Sequence, residues 1–169
     1  MKHLKLLSLI IFCILLTACT KQETELAKMA NPWKYCNNDM ACAEKVAKIK
    51  FPIAIPGLQV RAMDGMIEVL YFLDQSREIT IRKAAPSDPP KDISGDYNQY
   101  PVIKQITLKN GVPIQIRGTE NKIYVMNFYN SKGNYAVMCE KGMSFDEALN
   151  IYIVISQVEF PNFNPSDIR

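Results

Sequence analysis

The chain has 169 residues, a formal net charge of +3 and a hydrophobic content of 48%. A chain of this length can bury the core of a single domain, and its weak charge does not favour nucleic acid or acidic lipid as a partner. Its one histidine, His3, lies at the very start. The rest of the chain therefore has no histidine for Ser–His or Cys–His catalysis or for a histidine-ligated metal site. We expect no cofactor and no metal.

Residues 1–18 have the pattern of a bacterial lipoprotein signal peptide. Lys2 and Lys5 precede an apolar run, residues 6–16, which is shorter than the ~20 residues that a membrane-spanning helix needs. The sequence LTAC, which ends at Cys19, resembles a lipobox, where cleavage occurs before a lipid-modified cysteine. We expect lipid on Cys19 and a location at the cell envelope, in the outer membrane if the host has one. An ordinary secretory signal is the alternative.

A polar tether of residues 19–30 is expected to separate the lipid from the domain. Beyond it the chain has three cysteines, Cys36, Cys42 and Cys139. We expect a disulfide between Cys36 and Cys42, because the loop between them is short and closes at little entropic cost. A bridge from Cys139 to one of them is the alternative that remains open. Cys139 is otherwise a free thiol.

A helix and a series of strands follow the tether. Asn38 or Asp39 can cap a helix that carries Cys42, Val46 and Ile49 on one side. Turn residues then separate β-prone segments, with Asp-Gly at 64–65 in a position typical of a two-residue hairpin and Asn-Gly at 110–111 in a second hairpin. The predicted strands are residues 58–63, 66–73, 77–83, 102–108, 112–117, 122–129 and 134–140. A third hairpin turn is predicted at residues 131–133, and Pro113 predicts an edge or bulged strand.

The pattern becomes helical again at Ser144, which forms a capping box with Glu147. Apolar residues then recur at helical spacing to Ser156. The order of helix, strands and helix predicts an α+β domain over residues 31–160, followed by a tail of residues 161–169. We expect a mostly antiparallel, twisted sheet of about six strands, with one helix near each end of the domain.

The most distinctive stretch runs from Ile79 to Tyr100. A predicted strand ends there at Arg82 and Lys83, and a proline-rich loop leads to residues 92–98, which we call the polar knot. We expect positive φ at Gly95 and side-chain bonds from the knot's carboxylates to loop amides. The residues of this candidate binding or structural site are Arg82, Lys83, Asp92, Ser94, Gly95, Asp96, Tyr97, Asn98 and Tyr100.

The two cations that precede the loop are expected to pair with the knot, so that Arg82 or Lys83 faces Asp92 or Asp96. Two other interpretations of the knot are weaker. An acid–base pair of Asp92 and Asp96 is disfavoured because Ser-Gly between them is typical of a turn. A calcium site that also uses Asp88 lacks the spacing of an EF-hand.

These residues also carry a family resemblance. IRKA at residues 81–84, followed by DISGDYN at 92–98 and Tyr100, resembles the signature of the domain of unknown function 4367 family, whose members are bacterial extracytoplasmic domains. Weaker similarity covers about residues 31–158; it includes Asn31-Pro32-Trp33, residues 114–118, Tyr135, residues 142–144 and Glu147. The chain departs from the family in the extra prolines of its loop and in Phe128, where Trp is expected. The resemblance implies no catalytic residues.

Aromatic residues form a second group, and Trp33 is expected to fix the start of the domain. Strand alternation predicts Tyr124, Met126 and Phe128 on one face of their strand, with Val125, Asn127 and Tyr129 on the other. We expect a membrane-anchored lipoprotein that acts as a non-catalytic binding module for a protein or envelope partner. An envelope enzyme that uses carboxylates, or a carrier of lipid or another hydrophobic ligand, is the alternative.

Overall fold

The computed structural model describes residues 31–53 and 59–168. The predicted signal peptide, the lipidation of Cys19 and the tether lie outside these residues. Within the described part of the chain, no helix combines the length and apolar character needed to cross a membrane.

One antiparallel sheet forms the centre of the described structure. Its eight strands are β1 (Lys34–Tyr35), β2 (Gln59–Met63), β3 (Met66–Phe72), β4 (Glu78–Ala84), β5 (Val102–Thr107), β6 (Pro113–Gly118), β7 (Ile123–Asn130) and β8 (Gly133–Met143). They lie in the order β1-β2-β3-β4-β8-β7-β6-β5. The predicted α+β class and antiparallel sheet are confirmed. The sheet is larger than the predicted six strands, because every β-prone segment pairs and β1 adds a short edge.

Turn residues set the hairpins of this sheet. Asp64 and Gly65 join β2 to β3, and Gly65 has a φ of 76° that a side chain would disfavour. The β5–β6 hairpin turns at Asn110-Gly111, as predicted, with Gly111 at a φ of 84°. Of the two alternatives predicted for the strand of Pro113, the edge position is wrong, because β6 lies between β5 and β7. A register shift between β6 and β7 does occur, at Arg117–Gly118. Pro113 occupies the first position of β6, where proline is tolerated.

The first helix, α1 (Met40–Ala47), begins at a capped N-terminus. Asp39 Oδ1 accepts the amides of Ala41 at 2.9 Å and Cys42 at 3.2 Å. The predicted disulfide is confirmed, since Cys36 and Cys42 are bonded and tie the end of β1 to this helix. Cys139 is buried and free.

The last helix, α2 (Phe145–Glu159), begins at the predicted capping box of Ser144 and Glu147. A short 3-10 helix, Pro165–Asp167, follows it. The domain does not end at residue 160, because Ile168 is buried in the core and the ring of Phe163 packs 6.0 Å from that of Tyr152. The expected tail therefore belongs to the fold.

The main core lies between one face of the sheet and the helices. Strand alternation brings Ile81, Val137 and Phe128 to this face from β4, β8 and β7. Their helical partners include Ala43 of α1 and Tyr152 of α2. Since the helices cover this face, the opposite face is left for the long loop between β4 and β5.

The capping carboxylate of α2 makes the fold sensitive to acid. Arg77 Nη2 lies 2.6 Å from Glu147 Oε1, and the Ser144 amide donates to Glu147 Oε2 at 2.8 Å. The hydrogen bond from Arg77, followed by that from the Ser144 amide, lowers the pKa of Glu147 from 4.5 to about 2. A lowered pKa in the folded state contributes stability above pH 4.5, which is lost as the pH falls towards 2.

We therefore expect Glu147→Gln to be less stable than wild type at neutral pH and to lose less stability on acidification. Urea denaturation at a series of pH values between 7 and 2 measures this difference. Glu120→Gln is the matched control, since Glu120 is exposed in the turn between β6 and β7. Parallel pH profiles for wild type and Glu147→Gln would contradict the assignment.

Candidate functional site

The loop of residues 85–101 lies over the sheet face opposite the helices. Arg82 and Arg117 alternate along their strands with the core residues Ile81 and Ile116, so they project from this second face. Both donate to the loop. Val125 and Ala136 are fully buried on this side, which shows that the loop and its supports exclude water from the sheet surface.

The polar knot holds its shape through a series of short-range hydrogen bonds. Asp92 Oδ1 accepts the Ser94 amide at 2.9 Å, Ser94 Oγ accepts the Asp96 amide at 3.1 Å, and Asp96 Oδ1 accepts the Asn98 amide at 2.9 Å. Each bond spans two residues, the geometry of Asx and ST turns. Gly95 has the expected positive φ, 63°. The predicted turn chemistry of the knot is confirmed.

Arg82 is the central support of the knot. Its Nη1 donates to the carbonyl oxygens of Ile93, at 3.1 Å, and Ser94, while its Nε donates to Glu68 Oε2 at 2.6 Å. Arg61 binds the other oxygen of Glu68. The Trp33 ring lies 4.7 Å from the Arg61 guanidinium and 5.6 Å from that of Arg82, within cation–π range. Trp33 therefore joins the start of the domain to the support of the knot.

Arg117 is the second support. Its Nη1 donates to the Asp96 carbonyl oxygen at 3.1 Å, and its Nη2 donates to Ser94 Oγ at 2.6 Å. The same Nη2 lies 3.1 Å from Asp92 Oδ2. Two arginines, one on β4 and one on β6, thus hold the loop from two strands of the sheet.

The predicted ion pair between the knot and Arg82 or Lys83 is wrong. Asp92 pairs with Arg117, and the carboxylate partner of Arg82 is Glu68. Lys83 projects from the opposite face, because neighbouring residues in a strand alternate, and it reaches Glu159 of α2 at 2.5 Å. Lys83 is therefore not part of the site.

Sequence reasoning missed Arg117 and Glu68 as site residues. Both interrupt β-branched runs: Glu68 lies between Ile67 and Val69, and Arg117 follows Ile116. A charged residue within such an alternating pattern indicates a polar group on the second face. This signal could have placed both residues near the knot, but it could not have named their partners.

A bulge in β7 makes the predicted alternation wrong for Tyr124. Met126 and Phe128 face the helices as expected, but the register shifts between Ile123 and Val125. Tyr124 therefore lies on the loop side, where its ring stacks on that of Tyr100 with centroids 5.5 Å apart. The Tyr100 hydroxyl donates to Asp96 Oδ2 at 2.8 Å, so this aromatic pair adjoins the knot.

A cleft of about 640 Å³ runs between the knot and the start of the domain. Its lining combines Trp33, Met63 and Met66 with the knot residues 92–98 and with three cations, Arg82, Lys91 and Arg117. Tyr97, at the tip of the knot, is 95% exposed although its neighbours are held in place. We call this cleft between the knot and the start of the domain the knot cleft. It places apolar and aromatic surface beside an ordered polar loop.

The carboxylate of Asp96 remains charged at neutral pH. Burial acts to raise its pKa, but hydrogen bonds from the Asn98 amide and the Tyr100 hydroxyl outweigh burial and hold the pKa below its ordinary value. Asp96 thus serves as a hydrogen-bond acceptor and is unsuited to act as a general acid. Within the described ranges, no group of three or more His, Cys, Asp or Glu residues is arranged to hold a metal ion.

Replacing Gly95 with alanine tests the geometry of the knot. An added Cβ would lie 2.6 Å from Arg82 Nη1, and φ is positive, so we expect a loss of stability of about 1–2 kcal/mol. Gly111→Ala is the matched control: its φ is also positive, but no atom lies within 4 Å of the added Cβ. Thermal denaturation should rank Gly95→Ala below Gly111→Ala. Equal melting temperatures would show that contact with Arg82 is unimportant.

Comparisons with protein-family models, with curated proteins and with solved structures found no match. The resemblance of the IRKA and DISGDYN motifs to the domain of unknown function 4367 family therefore stays a prediction. The proposal of a function rests on the geometry of the knot cleft and on the contacts around it.

Proposed function

We propose that the chain is a lipid-anchored, non-catalytic module of the cell envelope that binds a protein partner through the knot cleft. The observation that carries this proposal is the exposed Tyr97 ring, held on an ordered loop beside Trp33 and Arg82. Tyr, Trp and Arg are the residues that most often dominate binding energy in protein interfaces. A loop that is already ordered loses little conformational entropy when it binds.

The chemistry of the knot favours binding over catalysis. Asp92 and Asp96 accept backbone amides, and the lowered pKa of Asp96 is the opposite of what a general acid at neutral pH needs. The two arginines that reach the loop are occupied by its carbonyl oxygens and by carboxylates. The site thus offers a shaped surface to a binding partner, and its polar groups hold the loop in place.

The anchoring part of the proposal rests on the LTAC sequence that ends at Cys19. Cys19→Ala should leave an unprocessed precursor without lipid, because the peptidase acts on a lipid-modified cysteine. Intact-mass measurement of the protein from membranes distinguishes the two forms. Normal cleavage and release of the variant would overturn the lipoprotein assignment.

The binding part is tested by site-specific photocrosslinking in intact cells. A photoreactive phenylalanine analogue at Tyr97 should capture one partner protein, and the same analogue at Phe145 should not. Phe145 is a suitable control because it is 44% exposed and begins α2, which packs on the opposite face of the sheet. Tyr97→Ala should reduce partner capture through a nearby crosslinking position at least about tenfold. Equal capture from positions 97 and 145 would contradict the proposal.

A further inference from the structure

A second cleft lies on the loop side of the sheet, where Tyr100 and Tyr124 meet strands β3, β4 and β8. Its volume is about 430 Å³, within the range of small-ligand sites. Leu70 and Met138 provide apolar surface. It shares Asp96 with the knot cleft. We call it the tyrosine cleft.

Charge in the tyrosine cleft has a single sign. Glu78, Asp96 and Glu140 line it, and no lysine or arginine is among its lining residues. In the described part of the chain, the ion pairs of other carboxylates use Glu44, Asp64, Glu68, Asp74, Asp92, Glu147 and Glu159. None of the three acids of the cleft forms an ion pair among the described residues, although the charge of Arg117 acts on Asp96. A ligand with positive charge would be electrostatically complementary to the cleft.

Two of these acids lie on the neighbouring strands β4 and β8. Thr80 of β4 is paired with Met138 of β8. Glu78 precedes Thr80 by two residues on β4, and Glu140 follows Met138 by two residues on β8. Both line the cleft. Like charges that line one cleft repel each other, and a cation bound in the cleft would reduce this repulsion.

The aromatic pair supplies a second, different attraction for a cation. The rings of Tyr100 and Tyr124 stack with an angle of 20° between their planes, and both line the cleft. Tyrosine faces attract ammonium and guanidinium groups through the ring quadrupole. The apolar surface of Leu70 and Met138 suits the aliphatic stem that carries such a group.

We propose that the tyrosine cleft binds an organic cation, specifically a lysine or arginine side chain that the protein partner presents. This inference rests on the proposed function and deepens it by naming the chemistry of the partner. An organic cation fits better than a metal ion, because the acids of the described chain are not grouped as metal ligands. The knot cleft then supplies aromatic contacts, and the tyrosine cleft supplies recognition of charge.

The direct test is an NMR titration of the full-length protein with small probes. Nα-acetyl-lysine methylamide and Nα-acetyl-arginine methylamide should shift the signals of Thr80 and Tyr124 saturably, and added salt should weaken the effect. Nα-acetyl-norleucine methylamide has a similar stem without the charge and is the matched control probe. Equal shifts with the norleucine probe, or shifts confined to other surfaces, would overturn the inference.

Variants locate the interaction within the cleft. Replacing both Glu78 and Glu140 with glutamine should weaken lysine-probe binding by about tenfold, since it removes two of the three opposing charges. Glu120→Gln, at an exposed acid outside the cleft, should bind as wild type does. Tyr124→Phe should keep most of the affinity, whereas Tyr124→Leu should lose it, because phenylalanine retains the ring face. Unchanged binding by the double glutamine variant would refute the site.

The outcomes separate this inference from the proposed function. If Tyr97 captures a partner but the probes do not bind the tyrosine cleft, the cation site is wrong and the interaction module stands. If the probes bind but Tyr97 captures nothing, the cation site stands and the protein-partner assignment is wrong.

Discussion

Replacing Lys83 with methionine is expected to destabilise the domain by about 3–5 kcal/mol, the cost typical of breaking a buried ion pair from one side. Lys83 Nζ lies 2.5 Å from Glu159 Oε1, and each side chain is 6% exposed. Glu159 also accepts a hydrogen bond from Asn130 at 3.4 Å, which cannot replace a cation. The variant would leave a buried carboxylate without its charged partner. Urea denaturation at neutral pH measures the loss.

Two variants make this result interpretable. Lys48→Met removes a lysine from an ion pair with Asp64 whose side chains are 76% and 79% exposed, and it should have little effect on stability because solvent screens such a pair. Lys83→Met combined with Glu159→Leu removes both charges and should recover a large part of the stability. If Lys83→Met were as mild as Lys48→Met, the buried pair would contribute little to the fold.

Replacing Arg82 with methionine should release the loop as well as lower stability. Arg82 binds one oxygen of Glu68 and the carbonyl oxygens of Ile93 and Ser94, and its loss removes this donor from all three acceptors. Arg61 keeps its bond to the other Glu68 oxygen. We expect a cost of about 2–4 kcal/mol, because hydrogen bonds to charged groups are stronger than neutral ones. Hydrogen exchange of residues 85–101, followed by mass spectrometry, should show faster exchange in the variant.

Arg61→Met is the matched control for the Arg82 variant. Arg61 binds the same carboxylate, Glu68, and contacts Trp33, but it makes no bond to the loop. It should lower stability by less and leave the exchange rates of the loop near those of the wild type. Slow exchange of the loop in Arg82→Met would show that Arg117 alone is sufficient to hold the knot.

Features that depend on neighbours in sequence could be predicted from the sequence. The capping box at Ser144, the disulfide of Cys36 and Cys42, and the turn at Gly95 each rest on residues a few positions apart, and all three are confirmed. Their causes are local: side-chain oxygens that meet nearby amides, a short loop, and a backbone without Cβ.

Features that depend on long-range pairing could not be predicted. Nothing near Lys83 in the sequence indicates Glu159, and nothing near Asp92 indicates Arg117, because strand order brings these pairs together. The bulge before Val125 reverses the expected side of Tyr124 for the same reason, since it arises from the pairing of β7 with β8. The sequence therefore predicts the knot and the involvement of Arg82, but it does not predict Arg117, Glu68 or the tyrosine cleft.

The position of β8 sets an order of assembly. Strands β1 to β4 pair with one another in sequence order, and so do β5 to β7, whereas β8 lies between β4 and β7 and joins the two groups. If the chain enters the envelope from its N-terminus, β4 remains an unpaired edge strand until β8 emerges. Chaperones or other strands bind to such unpaired edges. Arg82 on β4 and Arg117 on β6 hold the loop of residues 85–101 from strands on opposite sides of β8. The knot is thus held by strands from both of the groups that β8 joins.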